Sequence, residues 1–438
     1  MSGLLLVVVV IVLGLKWVVL RSRKLRKLPP GPSPLPIIGN LNLIEQPIHS
    51  ASPNTTLPWP TAYPLYPENT SSTITPPLVP VLSTHRIHSF SGIRCDETKR
   101  LIHRLAHNSR HHFARMEITS MFNDLTYNNI MRMISGKRFY GEETDMSNIE
   151  EAREFRETVS EMLQLMGLAN KGDHLPFLRW FDFQNVEKRL KNISNRYDTI
   201  LNKIIHENRT NKDTDNSMIG HLLKLLIKSD GRLIVRAMLF GGIDSSTGTL
   251  EWSLSNLLNH PEVLKKLRDE IDTQVGEDRL LNESDLPKLP YLRKVILETL
   301  RLYPPAPVLI PHVSSEDITI EGFNVPRDTV VIINGWAMQR DPQVWTDATS
   351  FKPERFDVEG EEKKLVAFGM GRRACPGEPM AMQSVSFTLG LLIQCFDWKR
   401  VSEEKLDMTE NNWITLSRLI PLEAMCKARP LVDKIGSY

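Results

Sequence analysis

Phe368-Gly-Met-Gly-Arg-Arg-Ala-Cys-Pro-Gly377 is the most specific pattern in this chain of 438 residues, and it reduces to Phe-x-x-Gly-x-Arg-x-Cys-x-Gly. Three of its positions are glycines that let the backbone turn tightly or approach a flat ligand: Gly369, Gly371 and Gly377. The residues from 378 to 396 have the pattern of a helix, and Pro376 suits the entry to it. The stretch therefore predicts a loop that presents Cys375 to a metal.

Cys375 is predicted to ionise, because it lies near a helix N-terminus and beside Arg372 and Arg373. Both features favour a thiolate over a thiol. A thiolate that faces an apolar cavity is typical of the axial ligand of a haem that activates oxygen. The plainer alternative is that a lone cysteine is a small buried hydrophobic residue, which holds for most cysteines.

A second alternative is a dinucleotide-binding fingerprint. Gly369-x-Gly371-x-x-Ala374 follows a strand-like 364–368 and precedes a helix, with Asp397 about twenty residues further on. We reject this interpretation because little chain remains for the rest of a parallel sheet, and the Cys-Pro-Gly sequence would have no role in such a site.

The residues from 232 to 260 are predicted to form one long helix with an unusual centre. Gly241 and Gly242 each cost a helix roughly 1 kcal/mol relative to alanine, so they indicate a kink or a closely approaching ligand. Asp244 and Ser245 add an acid and a hydroxyl that could relay protons from solvent to oxygen. Glycine pairs also occur in helices for tight packing alone.

The residues from 289 to 303 are predicted to form a helix that ends at two prolines. Glu298 and Arg301 are three apart and so share a face, with leucines around them that suggest burial. A buried pair needs further partners, and Arg355 is the candidate. The alternative is an ordinary ion pair on the helix surface.

Composition sets the broad class. The chain is 41% hydrophobic and 24% charged, which is enough for a large core, and its net charge of +2 gives no reason to expect nucleic acid as a partner. The four cysteines are widely spaced without a CxxC pair, which argues against disulfides and against a zinc site.

The N-terminus predicts a membrane anchor over residues 1–20. The run is apolar apart from Lys16, no basic segment precedes it, and no small-x-small cleavage site follows it. Five basic residues follow within 21–27, which places the rest of the chain on the cytosolic side by the positive-inside rule. Residues 21–36 read as a basic, proline-rich hinge, and 37–438 as the catalytic domain.

Taken together, these motifs resemble the cytochrome P-450 family. Two further stretches, 125–140 and 173–182, resemble a plant microsomal subgroup that hydroxylates flavonoids and isoflavones and includes isoflavone 2'-hydroxylases. The resemblance implies that Cys375 is the proximal iron ligand and that Arg373, with His312 as a weaker candidate, pairs with a haem propionate. It further implies that the loop positions Phe368, Gly369, Gly371 and Gly377, together with Gly241 and Gly242, adjoin the haem. By the same resemblance Glu298, Arg301 and Arg355 lock the cysteine loop, and Asp244 and Ser245 serve catalysis.

The resemblance also implies a mainly α fold, with a helical domain and a small β region behind the N-terminal anchor. The implied cofactor is haem b, with O2 as co-substrate and NADPH acting indirectly through a membrane-bound reductase. The reaction expected is insertion of one oxygen atom into a C–H bond of a small apolar or aromatic substrate. The resemblance implies a flavonoid or isoflavonoid as the substrate class and the endoplasmic reticulum membrane as the location.

Residues 43–80 depart from this pattern. Eight of the thirty residues from 51 to 80 are proline, and the segment has no helical or strand periodicity, so we predict disorder or an error of gene assembly there. The family's Trp-x-x-x-Arg, which contacts the haem, is missing from this part of the chain. Two alternatives therefore stay open: an inactive remnant of a P-450, and a haem-thiolate isomerase or dehydratase.

Overall fold

Helices make up most of the residues that the computed structural model describes. These residues are 82–141, 149–166, 185–210, 232–411 and 414–434. In chain order they are α1 (Thr84–Ser89), α2 (Ser91–Ser109), α3 (Ile118–Ser135), α4 (Ile149–Met166), α5 (Val186–Thr210), α6 (Arg232–Gly242), α7 (Asp244–Asn259), α8 (Pro261–Gln274), α9 (Pro290–Leu302), α10 (Gly335–Met338) and α11 (Glu378–Cys395). The predicted mainly α architecture is confirmed.

Proline and glycine set several helix ends. Helices α8 and α9 each begin at a proline, whose fixed φ suits the first turn and whose missing N–H would have no partner there. Helix α3 ends at Gly136, which has φ 75° and donates its N–H to the Arg132 carbonyl at 2.8 Å. Its conformation is the left-handed one that glycine adopts without strain.

Two buried apolar clusters hold the helices together. The larger one fills the space between α2, α3, α7, α8, α9 and α11 and includes Leu254, Leu257, Val295 and Leu392, each fully or almost fully buried. The second lies between α3, α4, α5 and α6. Met380, in the first turn of α11, belongs to the second cluster, so the start of α11 reaches the region where α6 ends.

The β structure is small, as predicted. Strands β1 (Ala114–Glu117), β6 (Phe396–Lys399) and β7 (Glu423–Ala428) form one antiparallel sheet in the order β1-β7-β6. The register places Cys426 of the central strand opposite Ala114 on one side and Trp398 on the other. Two further pairs are β2 (His312–Val313) with β5 (Val330–Val331), and β3 (Ile318–Ile320) with β4 (Phe323–Val325).

The N-terminal predictions cannot be compared with these elements. The anchor at 1–20, the hinge at 21–36 and the atypical segment at 43–80 all lie outside the described residues. Within the part of the chain that the structure describes, none of the helices combines the length and the apolar character needed to cross a bilayer.

Candidate active site

The cysteine loop is closed by a backbone hydrogen bond in which the Cys375 N–H donates to the Phe368 carbonyl oxygen at 2.8 Å. Within it, Gly369 has φ 69° and Gly371 has φ 73°, a region that residues with a side chain rarely adopt. The Ala374 N–H donates to the Gly371 carbonyl at 3.1 Å, which closes a short 3₁₀ turn. The loop shape therefore requires glycine at both of these positions.

Cys375 lies three residues before α11, and its side chain is exposed. A Cβ added at Gly377 would lie 3.7 Å from the Cys375 Sγ, which is an ordinary van der Waals contact, so this glycine lies directly beside the sulfur. The loop thus presents a thiol that a metal can approach.

The predicted preference of Cys375 for the thiolate is wrong for the protein alone. Protein atoms around the thiol desolvate it and raise its pKa, and the Glu378 carboxylate adds to this; the backbone N–H groups of Gly377 and Glu378 oppose the shift. The sequence-based prediction considered the helix N-terminus and the two arginines. It did not include the desolvation of the sulfur by the folded chain. A coordinated metal ion removes the proton from a thiol outright, so the ligand role does not depend on a low intrinsic pKa.

The predicted single helix over 232–260 is two helices, α6 and α7, separated at Ile243. Ile243 has φ −84° and ψ −67°, and its side chain is buried in the second cluster together with Met380. The break follows directly on the glycine pair, which lowers the cost of interrupting the helix. Membership of one cluster connects the interruption with the first turn of α11 through buried apolar side chains.

The two glycines before the break differ in their surroundings. A Cβ at Gly242 would lie 2.9 Å from the Ile130 Cδ1, so this glycine allows α6 to pack closely against α3. A Cβ at Gly241 would meet nothing within 4 Å, and the residue is exposed. The packing explanation therefore applies to Gly242, whereas Gly241 leaves open space beside the helix.

Asp244 is the first residue of α7, and its Oδ2 accepts a hydrogen bond from the Thr415 hydroxyl. Burial raises the pKa of this carboxyl, and the bond from Thr415 opposes the rise. A carboxyl with a raised pKa is better able to hold a proton near neutral pH and to deliver it. Thr415 lies 171 positions away in sequence, and no pattern around it pointed to this contact.

Ser245 donates its hydroxyl proton to the Gly241 carbonyl at 2.6 Å, across the interruption between the two helices. That carbonyl is near the end of α6, where it lacks the regular partner of a helix interior. Ser245 follows Asp244 directly in sequence and is half-buried, and its hydroxyl must rotate before it can pass a proton elsewhere.

Glu298, Arg301 and Arg355 meet, and the Glu298 and Arg301 side chains are completely buried. Arg301 donates from Nε and Nη2 to the two carboxylate oxygens of Glu298 at 2.8 and 2.9 Å. The Arg355 Nε lies 3.0 Å from Oε1 and 2.9 Å from Oε2 of the same carboxylate. The Lys352 backbone N–H adds a fourth bond at 2.9 Å. The surface ion pair considered as an alternative is thus not what the structure contains.

The lattice extends toward the cysteine loop through Gln339. Arg301 donates from Nη1 to the backbone carbonyls of Gln339 and Ala348, at 2.6 and 2.7 Å. The Gln339 side chain in turn donates to the Lys364 carbonyl at 3.0 Å, four residues before Phe368. A continuous set of hydrogen bonds therefore connects the buried carboxylate with the entry to the loop.

The other predicted site residues lie at the edge of this arrangement. Phe368 is half-buried and packs against the larger apolar cluster. Arg373 is exposed at the end of the 3₁₀ turn, and His312 is exposed on β2, opposite Val331. Among the contacts of the described residues, none joins His312 to the cysteine loop.

A family model described as cytochrome P450 matches residues 74–426 of the chain. The match begins at residue 74, within the proline-rich segment that the sequence analysis singled out. Among solved structures, a zebrafish cytochrome P450 with abiraterone superposes with a TM-score of 0.64 at 23% identity, covering 81% of this chain and 82% of the other. That likeness concerns the fold.

Plant proteins are more similar in sequence. An isoflavone 2'-hydroxylase of Glycyrrhiza echinata is 49% identical, and one of Medicago truncatula is 46% identical; each alignment covers 95% of both chains. An isoflavone 3'-hydroxylase of Medicago truncatula is 44% identical over 94% of this chain and 95% of its own. The first alignment runs over 479 positions, more than the 438 residues of this chain, so the relative has residues that this chain lacks.

We expect Glu298→Gln to lower the free energy of unfolding by about 3–5 kcal/mol, because it leaves two arginines around a buried site without their carboxylate. Urea unfolding measures the change. Glu362→Gln is the matched control: Glu362 pairs with Arg293 at the surface, where both side chains are half-exposed, and its loss is expected to cost less than about 1 kcal/mol. Equal effects of the two substitutions would contradict a buried lattice.

The raised pKa of Asp244 predicts a pH-dependent stability. The folded protein holds this proton more tightly than the unfolded chain, so the contribution of Asp244 is fully present below its ordinary pKa of 3.8 and is lost as pH rises through the raised value. Asp244→Asn should therefore gain stability relative to the unmodified protein as pH rises, with a slope of at most about 1.4 kcal/mol per pH unit.

Urea unfolding from about pH 4 to pH 8 tests this. Asp347→Asn serves as the control, because its exposed carboxyl is paired with Lys352, which lowers its pKa. Its contribution is present above the ordinary pKa and lost as pH falls, which is the opposite sign. A difference between Asp244→Asn and the unmodified protein that does not change with pH would contradict the raised pKa.

Proposed function

This chain belongs to the cytochrome P450 family of haem-dependent monooxygenases, and from that premise we propose that it hydroxylates a flavonoid or isoflavonoid. The proposal is supported by three relatives at 44–49% identity whose names are isoflavone 2'- or 3'-hydroxylase. The observation that carries it is the cysteine loop, closed by a backbone hydrogen bond from Cys375 to Phe368 around an exposed cysteine.

The residues present fit a haem. A soft thiolate suits haem iron, and the loop offers it on the exposed side of a glycine-rich turn. Gly377 lies beside the Cys375 Sγ, and Gly241 leaves open space beside α6. When bound, the haem supplies the activation of molecular oxygen. Cys375 would ligate the iron, and Arg373 and His312 are the candidates to pair with the propionates.

The chain itself supplies protons and shape. Burial raises the pKa of Asp244, so it holds a proton more readily than an ordinary aspartate, and the hydroxyl-bearing Ser245 is the next residue in the chain. We propose that the two groups pass protons from solvent to the reacting oxygen, with Ser245 rotating away from the Gly241 carbonyl to do so. The apolar segment from Pro304 to Leu309 is the proposed wall of the substrate pocket.

We further propose that electrons come from NADPH through a separate reductase that docks on the face of the Cys375 loop. The apolar run over 1–20, with the basic residues that follow it, supports an endoplasmic reticulum anchor and a cytosolic catalytic domain. Substitution of exposed lysines on the loop face by glutamate would slow reduction by the reductase if this docking is correct.

One observation favours a second candidate, an inactive remnant. The Trp-x-x-x-Arg that the family places against the haem is missing from residues 43–80, where the resemblance implies it, and the aligned relatives have residues that this chain lacks. Loss of one haem-contacting segment would weaken cofactor retention even where the thiol and the lattice are intact.

Cofactor binding separates the two candidates. We expect the expressed, haem-supplied chain to give the reduced carbon monoxide difference spectrum of a thiolate-ligated haem, and Cys375→Ser to abolish it. Cys95→Ser is the control, because Cys95 is a half-buried cysteine at the edge of the larger cluster and far in sequence from the loop. A chain that binds no haem under these conditions would establish the remnant.

The substrate class is tested with microsomes that contain the chain and an NADPH-dependent reductase. We expect an isoflavone to gain one hydroxyl whose oxygen derives from labelled O2, and NMR of the product to give the ring position. Cys375→Ser in the same membranes controls for background activity. Turnover of other aromatic compounds without any turnover of flavonoids or isoflavonoids would contradict the proposed substrate.

A further inference from the structure

A β-hairpin near the C-terminus lies against the start of α7. Its two arms are joined by backbone hydrogen bonds from Asn411 N–H to the Ser417 carbonyl at 2.8 Å and from Leu419 N–H to the Thr409 carbonyl at 2.9 Å. The tip of this hairpin, which we call the 414–416 tip, carries the Thr415 hydroxyl that donates to Asp244.

The hairpin follows one face of α7 over the whole length of the helix. Trp252 donates its Nε1–H to the Leu416 carbonyl at 2.9 Å, and Ser255 accepts from Arg418 Nη1 at 2.6 Å. Further along, Asn259 exchanges two hydrogen bonds with the Leu406 backbone. The helix positions that take part, with Asp244 and Gly248 before them, recur every three to four residues and so lie on one face. The register of the hairpin against the acid is therefore fixed by several contacts.

The 414–416 tip also contacts the proposed substrate wall. The Leu416 N–H donates to the Pro305 carbonyl at 3.0 Å, and Ile414 packs against the cluster that contains Ile243. The tip thus lies between the apolar segment after α9 and the acid at the start of α7.

We propose that Thr415 is a positioning residue for Asp244, an inference that rests on the proton-relay role proposed above. A hydroxyl has one proton to donate, and giving it to Oδ2 makes that oxygen an acceptor. When Asp244 is protonated, its own proton is then carried by Oδ1. Thr415 in this way holds the carboxyl in one rotamer and directs its acidic proton to one side.

The geometry favours this role over one of stability alone. Burial disfavours the charged form of the Asp244 carboxyl and raises its pKa. Thr415 donates a hydrogen bond that the carboxyl can accept in either protonation state, so the contact is kept when the proton leaves. Because the same tip bonds to Pro305, a substrate that displaces the wall would move the group that aims the acid.

The first experiment compares Thr415→Val, which keeps the shape and removes the hydroxyl, with Thr415→Ser, which keeps the hydroxyl. We expect Thr415→Val to lower the ratio of product to NADPH consumed several-fold and to raise hydrogen peroxide release, while Thr415→Ser stays close to the unmodified chain. Thr409→Val is the control, since Thr409 lies on the same hairpin and its hydroxyl bonds only to the exposed Asp407 in the contacts described. A reduced carbon monoxide spectrum identical in all variants shows that the haem site is intact.

The second experiment needs no turnover. We expect Thr415→Val to lower the melting temperature in the unmodified background and to have no further effect in Asp244→Leu, which cannot accept a hydrogen bond. Equal effects of Thr415→Val in both backgrounds would overturn the proposal, even in a chain that proves inactive. A different result separates the two proposals. If Asp244→Asn still couples NADPH consumption fully to product, and the double-mutant cycle between Thr415 and Asp244 is non-additive, the relay role and the function assigned to Thr415 are refuted. The hydrogen bond between the two side chains would in that case still be supported.

Discussion

The carboxylate of Glu298 is the group on which the geometry of the site depends. It is completely buried, and removal of a charge from water at that depth is tolerated only when each oxygen finds strong donors. Arg301, Arg355 and the Lys352 N–H provide them, and each arginine uses its remaining N–H groups on the backbone of the segment from 339 to 350. One buried anion thus gathers a long irregular segment that has no regular secondary structure to hold it in place. The loop that carries Cys375 comes later in the chain, after two short 3₁₀ helices, Pro353–Asp357 and Glu361–Lys364.

The interruption between α6 and α7 shows how one sequence feature serves two purposes. Gly242 lets the helix approach Ile130 of α3, while Gly241, one residue earlier, faces open space. The Ser245 hydroxyl then satisfies the Gly241 carbonyl, which the interruption leaves without a helical partner. The five residues from 241 to 245 therefore provide both the close packing of α6 on α3 and a hydrogen-bonded end to that helix.

Local pattern predicted the helical segments, the cysteine loop and the Glu298–Arg301 pair, because each rests on spacing within a few residues or on a proline or glycine. Arg355 lies 57 positions from Glu298, and its part in the lattice was implied by the family resemblance. The helix over 289–303 needed only a stretch of leucines and a proline stop, and it runs from Pro290 to Leu302. The pKa of Cys375 could not be predicted this way, since it depends on desolvation by residues that the fold brings together. Thr415 was missed for the same reason: a contact across 171 positions leaves no mark in the sequence around either partner.

The order of the three-stranded sheet has a consequence for biosynthesis. Its central strand, β7, follows both of its neighbours, β1 and β6, in sequence. During translation both neighbours are made before the strand with which they pair, and Cys426, which becomes fully buried between them, arrives only with that strand. The nascent chain consequently keeps two open strand edges until β7 has been made, a period in which assistance from chaperones would matter most. A premature stop codon that removed only this strand would leave both edges permanently exposed.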